Sequence, residues 1–124
     1  LPLSRGLGDV YKRQELNIID DQFRSPTLAE DLAQACYLVI EKEAIGIYNA
    51  SGKDIMSIYE MVERMAYFYQ CDKSQINRIS STTLNQKAKR PTKTGFILDK
   101  SIKELGYKPH SFEEGLTLLE KQLN

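Results

Sequence analysis

Two arginines stand where a polar loop could present them to an anion: Arg24 in Gln22-Phe23-Arg24-Ser25-Pro26-Thr27, and Arg90 in Lys87-Ala88-Lys89-Arg90-Pro91-Thr92. A planar guanidinium offers forked donors that match a diphosphate bidentately, and Lys87 and Lys89 would add positive field beside Arg90. Loops are also where ligands are usually met. Spacing alone nonetheless favours the plainer reading, ordinary solvated charges, because single arginines in polar loops are common. Other chemistry is scarce. None of the seven glycines forms the GxGxxG turn that cradles a dinucleotide pyrophosphate. The tyrosines are expected to supply no Tyr-x-x-x-Lys pair of the kind that protonates a carbonyl oxygen as hydride arrives, so no residue is expected to be catalytic. His110, the one histidine, lies between Pro109 and Ser111 and reads as a surface or capping-region side chain. With one histidine and two separated cysteines, Cys36 and Cys71, no metal site is expected.

The elements that must position these side chains belong to one small domain. At 124 residues the chain is too short for a two-domain enzyme. Lys plus Arg and Asp plus Glu balance at 17 each, so no global field points to nucleic acid or a membrane surface. Absence of cysteine pairing motifs, of a membrane-length apolar run and of a secretory signal pattern leads to the expectation of a reduced cytoplasmic protein. The run Asp9-Val10-Tyr11-Lys12-Arg13-Gln14 is what a transposase sequencing adaptor encodes in one frame. Residues 1–14 are therefore expected to be a disordered cloning scar and residues 15–124 the protein proper; a native arm is the alternative.

Ile18 and Ile19 form a short strand-like segment. A helix is expected from Thr27, whose spacing to Glu30 is that of a capping box, to about Lys42, with Leu28, Leu32, Ala35, Val39 and Ile40 inward. Ala44 to Asn49 is β-branched and aromatic and reads as a strand running into the Ala50-Ser51-Gly52 turn. Ser57 with Glu60 opens a second helix, and its stripe Ile58, Met61, Val62, Met65, Ala66 and Tyr69 is core packing. Ile76 to Ser80 alternates like a half-buried strand, and Ser81 to Lys93 should be loop with a short helix. Asp99 can cap a helix that Gly106 ends, and Ser111 with Glu114 opens the last helix, with Phe112, Leu116, Leu119 and Leu123 buried. The result is an α/β, α-rich mixed domain of about four helices with short strands. So few strands make no self-sufficient sheet, and exposed apolar surface is expected where a further half packs.

The segment Arg24-Ser25-Pro26-Thr27-Leu28-Ala29-Glu30-Asp31-Leu32-Ala33 resembles the strand-to-helix motif of extended short-chain dehydrogenases/reductases, and its Pro-Thr version resembles the dTDP-4-dehydrorhamnose reductase type. Gly46 to Gly52 is similar to that family's strand and Ser-Gly turn. Arg90-Pro91 with Thr94 to Lys100 is similar to its Arg-Pro loop, and Gly106-Tyr107-Lys108-Pro109 with Phe112 to Leu116 to its closing segment. The resemblance implies the substrate-binding half of an NAD(P)-binding Rossmann-type enzyme that reduces the 4-keto group of dTDP-4-dehydrorhamnose with NADPH or NADH, in dTDP-rhamnose biosynthesis. It implies that Arg24 and Arg90 converge on the diphosphate or nucleotide of a nucleotide-diphosphate sugar, and that Gln22 and Thr27 border the sugar. It implies as partner a missing amino-terminal Rossmann half, with a homodimer possible in the parent. This half alone is expected to bind no cofactor and to be inactive. A non-catalytic reductase-like regulatory module, or another nucleotide-sugar epimerase or dehydratase, is the alternative.

Overall fold

The computed structural model describes residues 15–124; the expectations for residues 1–14 lie outside the described residues. The chain divides into two compact units, one holding the segment up to Phe23 with Met56–Lys93, the other Arg24–Ile55 with Thr94–Asn124.

In the first unit β1 (Leu16–Ile19) and β4 (Ile76–Ile79) lie parallel, with Leu16 opposite Ile76 and Ile19 opposite Ile79. A parallel pair needs a crossover connection, usually a helix. Here α2 (Ile58–Phe68) supplies it and contacts β1. The Ser57 hydroxyl accepts the Glu60 amide at 3.0 Å, so this cap forms where the sequence places it. A second two-stranded pair joins β2 (Phe23–Arg24) to β3 (Met56–Ser57). After β4 the chain makes one 3-10 turn, Ser81–Leu84, within the segment read as loop with a short helix. Its start is held by Asp21, whose carboxylate accepts the Ser80 hydroxyl at 3.0 Å, the Ser81 hydroxyl at 2.9 Å and the Ser81 amide at 3.1 Å.

The second unit contains α1 (Ala29–Glu41), a π-helical turn (Ser101–Leu105) and α3 (Phe112–Leu123). Its buried apolar side chains are Ala35, Leu105, Tyr107 and Leu116. The capping box expected at Ser111 forms reciprocally with Glu114. The one expected at Thr27 does not. The helix begins after Leu28, which makes no side-chain cap, and the Thr27 hydroxyl is engaged elsewhere. Nor is Asp99 a cap: it lies inside the helical turn that continues to Leu105, and Gly106, at φ 71, ends that turn in the left-handed conformation as its missing Cβ allows.

The strand expected over residues 44–49 is absent. Glu43 at φ 49 and Gly46 at φ 113 bend the chain out of extended geometry. Beyond them, side chains take the place of a neighbouring strand. Lys100 Nζ donates to the Ile47 carbonyl at 2.9 Å, Ser101 Oγ to that of Asn49 at 2.6 Å, and Tyr107 Oη to that of Ser51 at 2.8 Å. Acceptors at alternate positions are what one edge of an extended segment presents, so the strand-like composition survives without a strand partner among the described residues. Ile45 and Ile47 stand 92% and 83% exposed, and Tyr37, Ile40 and Ile97 are exposed as well. Leu119 and Leu123, expected on the buried face of α3, are also exposed, because that face is covered only along its first turns, at Gly115 and Leu116.

Candidate substrate-binding turn

In the second unit the segment Arg24 to Thr27 leads into α1 and crosses the Ser51-Gly52 turn. The Ser25 hydroxyl donates to the Gly52 carbonyl at 2.6 Å, and the Gly52 amide donates to Thr27 Oγ1 at 2.9 Å. The crossing has no room for a side chain: a Cβ on Gly52 would stand 2.0 Å from the Pro26 carbonyl oxygen. Glycine is needed here for close approach of two backbones. The Thr27 hydroxyl, having accepted from Gly52, gives its one hydrogen to the Ser25 carbonyl at 3.0 Å. A small pocket of about 80 Å³ lies beside Pro26, Thr27 and Leu28, with His110, Phe112 and Leu116 on its other side.

Ser51 is fixed from behind. Tyr107, 1% exposed, gives its hydroxyl to the Ser51 carbonyl, and the phenol is pushed up to about 12, first by burial and then by the charge of Asp31. It is therefore a hydrogen-bond donor throughout the neutral range.

The sequence reading passes over one pairing in this unit. Asp31, 4% exposed, accepts the His110 backbone amide on Oδ2 at 2.8 Å, with its Oδ1 2.6 Å from His110 Nδ1. The partners are 79 residues apart, so no local pattern links them. The available signal was a carboxylate on the inward face of α1, where an apolar residue would be expected. It adds a buried partner to a histidine that does stand in the capping region of α3, next to the N-cap Ser111, with its side chain 41% exposed.

A correction concerns tyrosine chemistry. One Tyr-x-x-x-Lys spacing is present after all, at Tyr69 and Lys73. That pair works when a continuous helix stacks both side chains one turn apart. Here α2 ends at Phe68, Tyr69 is its C-cap, and Gln70 turns left-handed at φ 55. Lys73 Nζ lies instead over the Tyr67 ring, 5.3 Å from its centre. The motif is present in sequence and dismantled in structure.

Of the residues expected to meet substrate, Arg24 (half-buried) and Thr27 belong to the second unit, and Gln22 (6% exposed) and Arg90 (exposed) to the first. The Gln22 carbonyl accepts the Ile58 amide at 3.0 Å. Arg90 sits in the stretch that begins at the 3-10 turn, with Lys87, Lys89 and Lys93 exposed around it. Asp21, which anchors that stretch, is held below the usual carboxylate range by the Ser81 hydroxyl first and by the Ser81 amide and Ser80 hydroxyl as well.

Three of the described glycines meet neighbours: Gly52 is closed by Pro26, Gly95 meets Ile55 and Gly115 faces Leu28. Among the described residues no group of three metal-ligating side chains gathers, and no helix is long and apolar enough to cross a membrane.

Comparison with known proteins places this geometry. The family model of the RmlD substrate binding domain matches residues 7–124. The spore coat polysaccharide biosynthesis protein SpsK of Bacillus subtilis is 29% identical over 104 residues, 84% of this chain and 36% of that protein. The dTDP-4-dehydrorhamnose reductase of Bacillus anthracis, solved with NADP, superposes with a TM-score of 0.79 at 22% identity, over 97% of this chain and 43% of that one. Its Clostridium acetobutylicum ortholog gives 0.78 at 21% identity, over 98% and 43%. The chain thus spans well under half the length of these relatives.

Proposed function

From the premise that the chain belongs to the RmlD substrate binding domain family, we propose that it is the sugar-nucleotide-holding part of an NAD(P)H-dependent reductase acting on the 4-keto group of dTDP-4-dehydrorhamnose, in the cytoplasm. The match over residues 7–124 carries this reading. The likeness to reductases solved as longer chains supports its finer parts.

In this reading a nucleotide-binding half supplies the cofactor site and the proton donor. The exposed Tyr37, Ile40, Ile45, Ile47 and Ile97, all of the second unit, are the surface such a half would cover, since exposed apolar side chains are suited to packing. Arg24 and Arg90 meet the diphosphate, where forked donors match paired phosphate oxygens. Gln22 and Thr27 border the sugar. With the Thr27 hydrogen held by Ser25, its free lone pair is what it can offer a sugar hydroxyl. No step of hydride transfer is assigned to this chain.

Calorimetric titration with dTDP tests the proposal. The wild-type chain should bind weakly, with Kd on the order of a millimolar, because half of the enclosing contacts are absent. Arg24→Ala and Arg90→Ala should each weaken binding several-fold, to a Kd still measurable at high dTDP concentration. Absence of binding by the wild type, or binding unchanged in both variants, would overturn the assignment.

A further inference from the structure

We propose that Tyr107 is a positioning residue for Arg24, acting through the Ser51–Gly52 peptide; this rests on the reading of Arg24 as a diphosphate contact.

A trans peptide is planar, with its C=O and N–H pointing to opposite sides. In the peptide joining Ser51 to Gly52, the carbonyl faces Tyr107 Oη at 2.8 Å and the amide faces Thr27 Oγ1 at 2.9 Å. One rigid plane therefore links a fully buried phenol to the turn that follows Arg24. The next carbonyl, that of Gly52, receives Ser25 Oγ at 2.6 Å, and Ser25 is the residue bonded to Arg24. With the Gly52 Cα pressed on Pro26, the plane has no freedom to slide.

The other end of the Tyr107 segment is fixed too. Three residues on, His110 is tied to Asp31 in the first turn of α1, four residues beyond Thr27. The contacts close a ring: Thr27, Gly52, Ser51, Tyr107, His110, Asp31 and back through the helix start to Thr27. A phenylalanine at 107 would fill the same space. The hydroxyl supplies one of the two hydrogen bonds that set which way the peptide faces, so the oxygen has a job that packing does not explain.

The test uses Tyr107→Phe in the full chain, with two readouts. Hydrogen exchange of the Gly52 amide should quicken about fivefold, since the plane loses one of its two holds worth about 1 kcal/mol, while circular dichroism stays unchanged. Affinity for dTDP should fall several-fold in the wild-type background and not at all in the Arg24→Ala background. A merely structural role would lower affinity equally in both. Unchanged Gly52 exchange, or equal losses in both backgrounds, overturns the positioning role while leaving the Arg24 assignment intact. An Arg24→Ala chain that binds like wild type instead removes the Arg24 assignment, and the positioning role falls with it. Should Tyr107→Phe fail to fold, Ser25→Ala, which removes one of the two hydroxyls donating to the Gly52 carbonyl, leaves that of Ser51 at 3.0 Å and keeps the phenol, is expected to show the same background dependence, and its absence overturns the proposal equally.

Discussion

Both carboxylate oxygens of Asp31 are taken by a single residue, His110: Oδ2 by its backbone amide at 2.8 Å and Oδ1 by its ring Nδ1 at 2.6 Å. The two come from opposite ends of the second unit, one from the first turn of α1 and the other from the entry to α3, so the pair staples those helix starts together. Because Asp31 is nearly inaccessible to water, removing the ring strands a buried oxygen. His110→Ala is expected to cost about 2 kcal/mol, read as a lower urea midpoint with unchanged slope. His110→Gln, which can return a donor to the carboxylate, should recover part of the loss; equal losses would show that the ring is not the group that matters.

The two helix starts of the second unit should respond differently to loss of a hydroxyl. Ser111→Ala removes a working cap whose Oγ accepts the Glu114 amide at 3.2 Å, and about 1 kcal/mol of stability should go with fraying of the first turn of α3. Thr27→Val leaves the start of α1 as it was, since Thr27 does not cap it. The Gly52 amide should lose its protection instead, because its acceptor is gone. Backbone amide exchange at Glu114, at the first turn of α1 and at Gly52 separates the two cases. Fraying of α1 in Thr27→Val would contradict the observed geometry.

That contrast marks how much was legible in the sequence. Ser57 and Ser111 were readable as caps because a cap is a local event, settled by a hydroxyl and an amide three residues on. Thr27 has the same spacing to Glu30, but a turn 25 residues away competes for its hydroxyl and wins. Local propensity is a weak prior against such contacts. Residues 44–49 carry β-branched and aromatic side chains, yet strand formation needs a partner edge, and that information lies outside the segment. The same holds for the site. Arg24, expected in a loop, ends the short strand β2, and the pairings of Asp31 with His110 and of Tyr107 with Ser51 were not legible either, because they exist only once the chain is folded. The Tyr69 to Lys73 spacing shows the converse, a motif that folding takes apart by ending α2 at Phe68, just before its first member.

The buried phenol of Tyr107 should make the protein sensitive to alkali in a defined window. A tyrosine is charged only when deprotonated, and burial together with the Asp31 charge raises its value from 10.0 to about 12 in the folded chain. Below pH 10 both folded and unfolded chains hold the proton, and the contribution of the buried neutral phenol is complete. Between pH 10 and 12 the unfolded chain releases the proton while the folded chain keeps it, so unfolding becomes easier by up to about 1.4 kcal/mol per pH unit. Stability is thus lost as pH rises. Every other ionisable group is common to wild type and Tyr107→Phe, so the difference between the two isolates position 107. Urea midpoints measured from pH 9 to 12 should fall more steeply for wild type, by close to one proton, with the curves parallel below pH 10. Parallel curves across the whole range would mean that the phenol ionises as freely in the folded chain as in the unfolded one, and that its hydroxyl does not hold the Ser51 carbonyl.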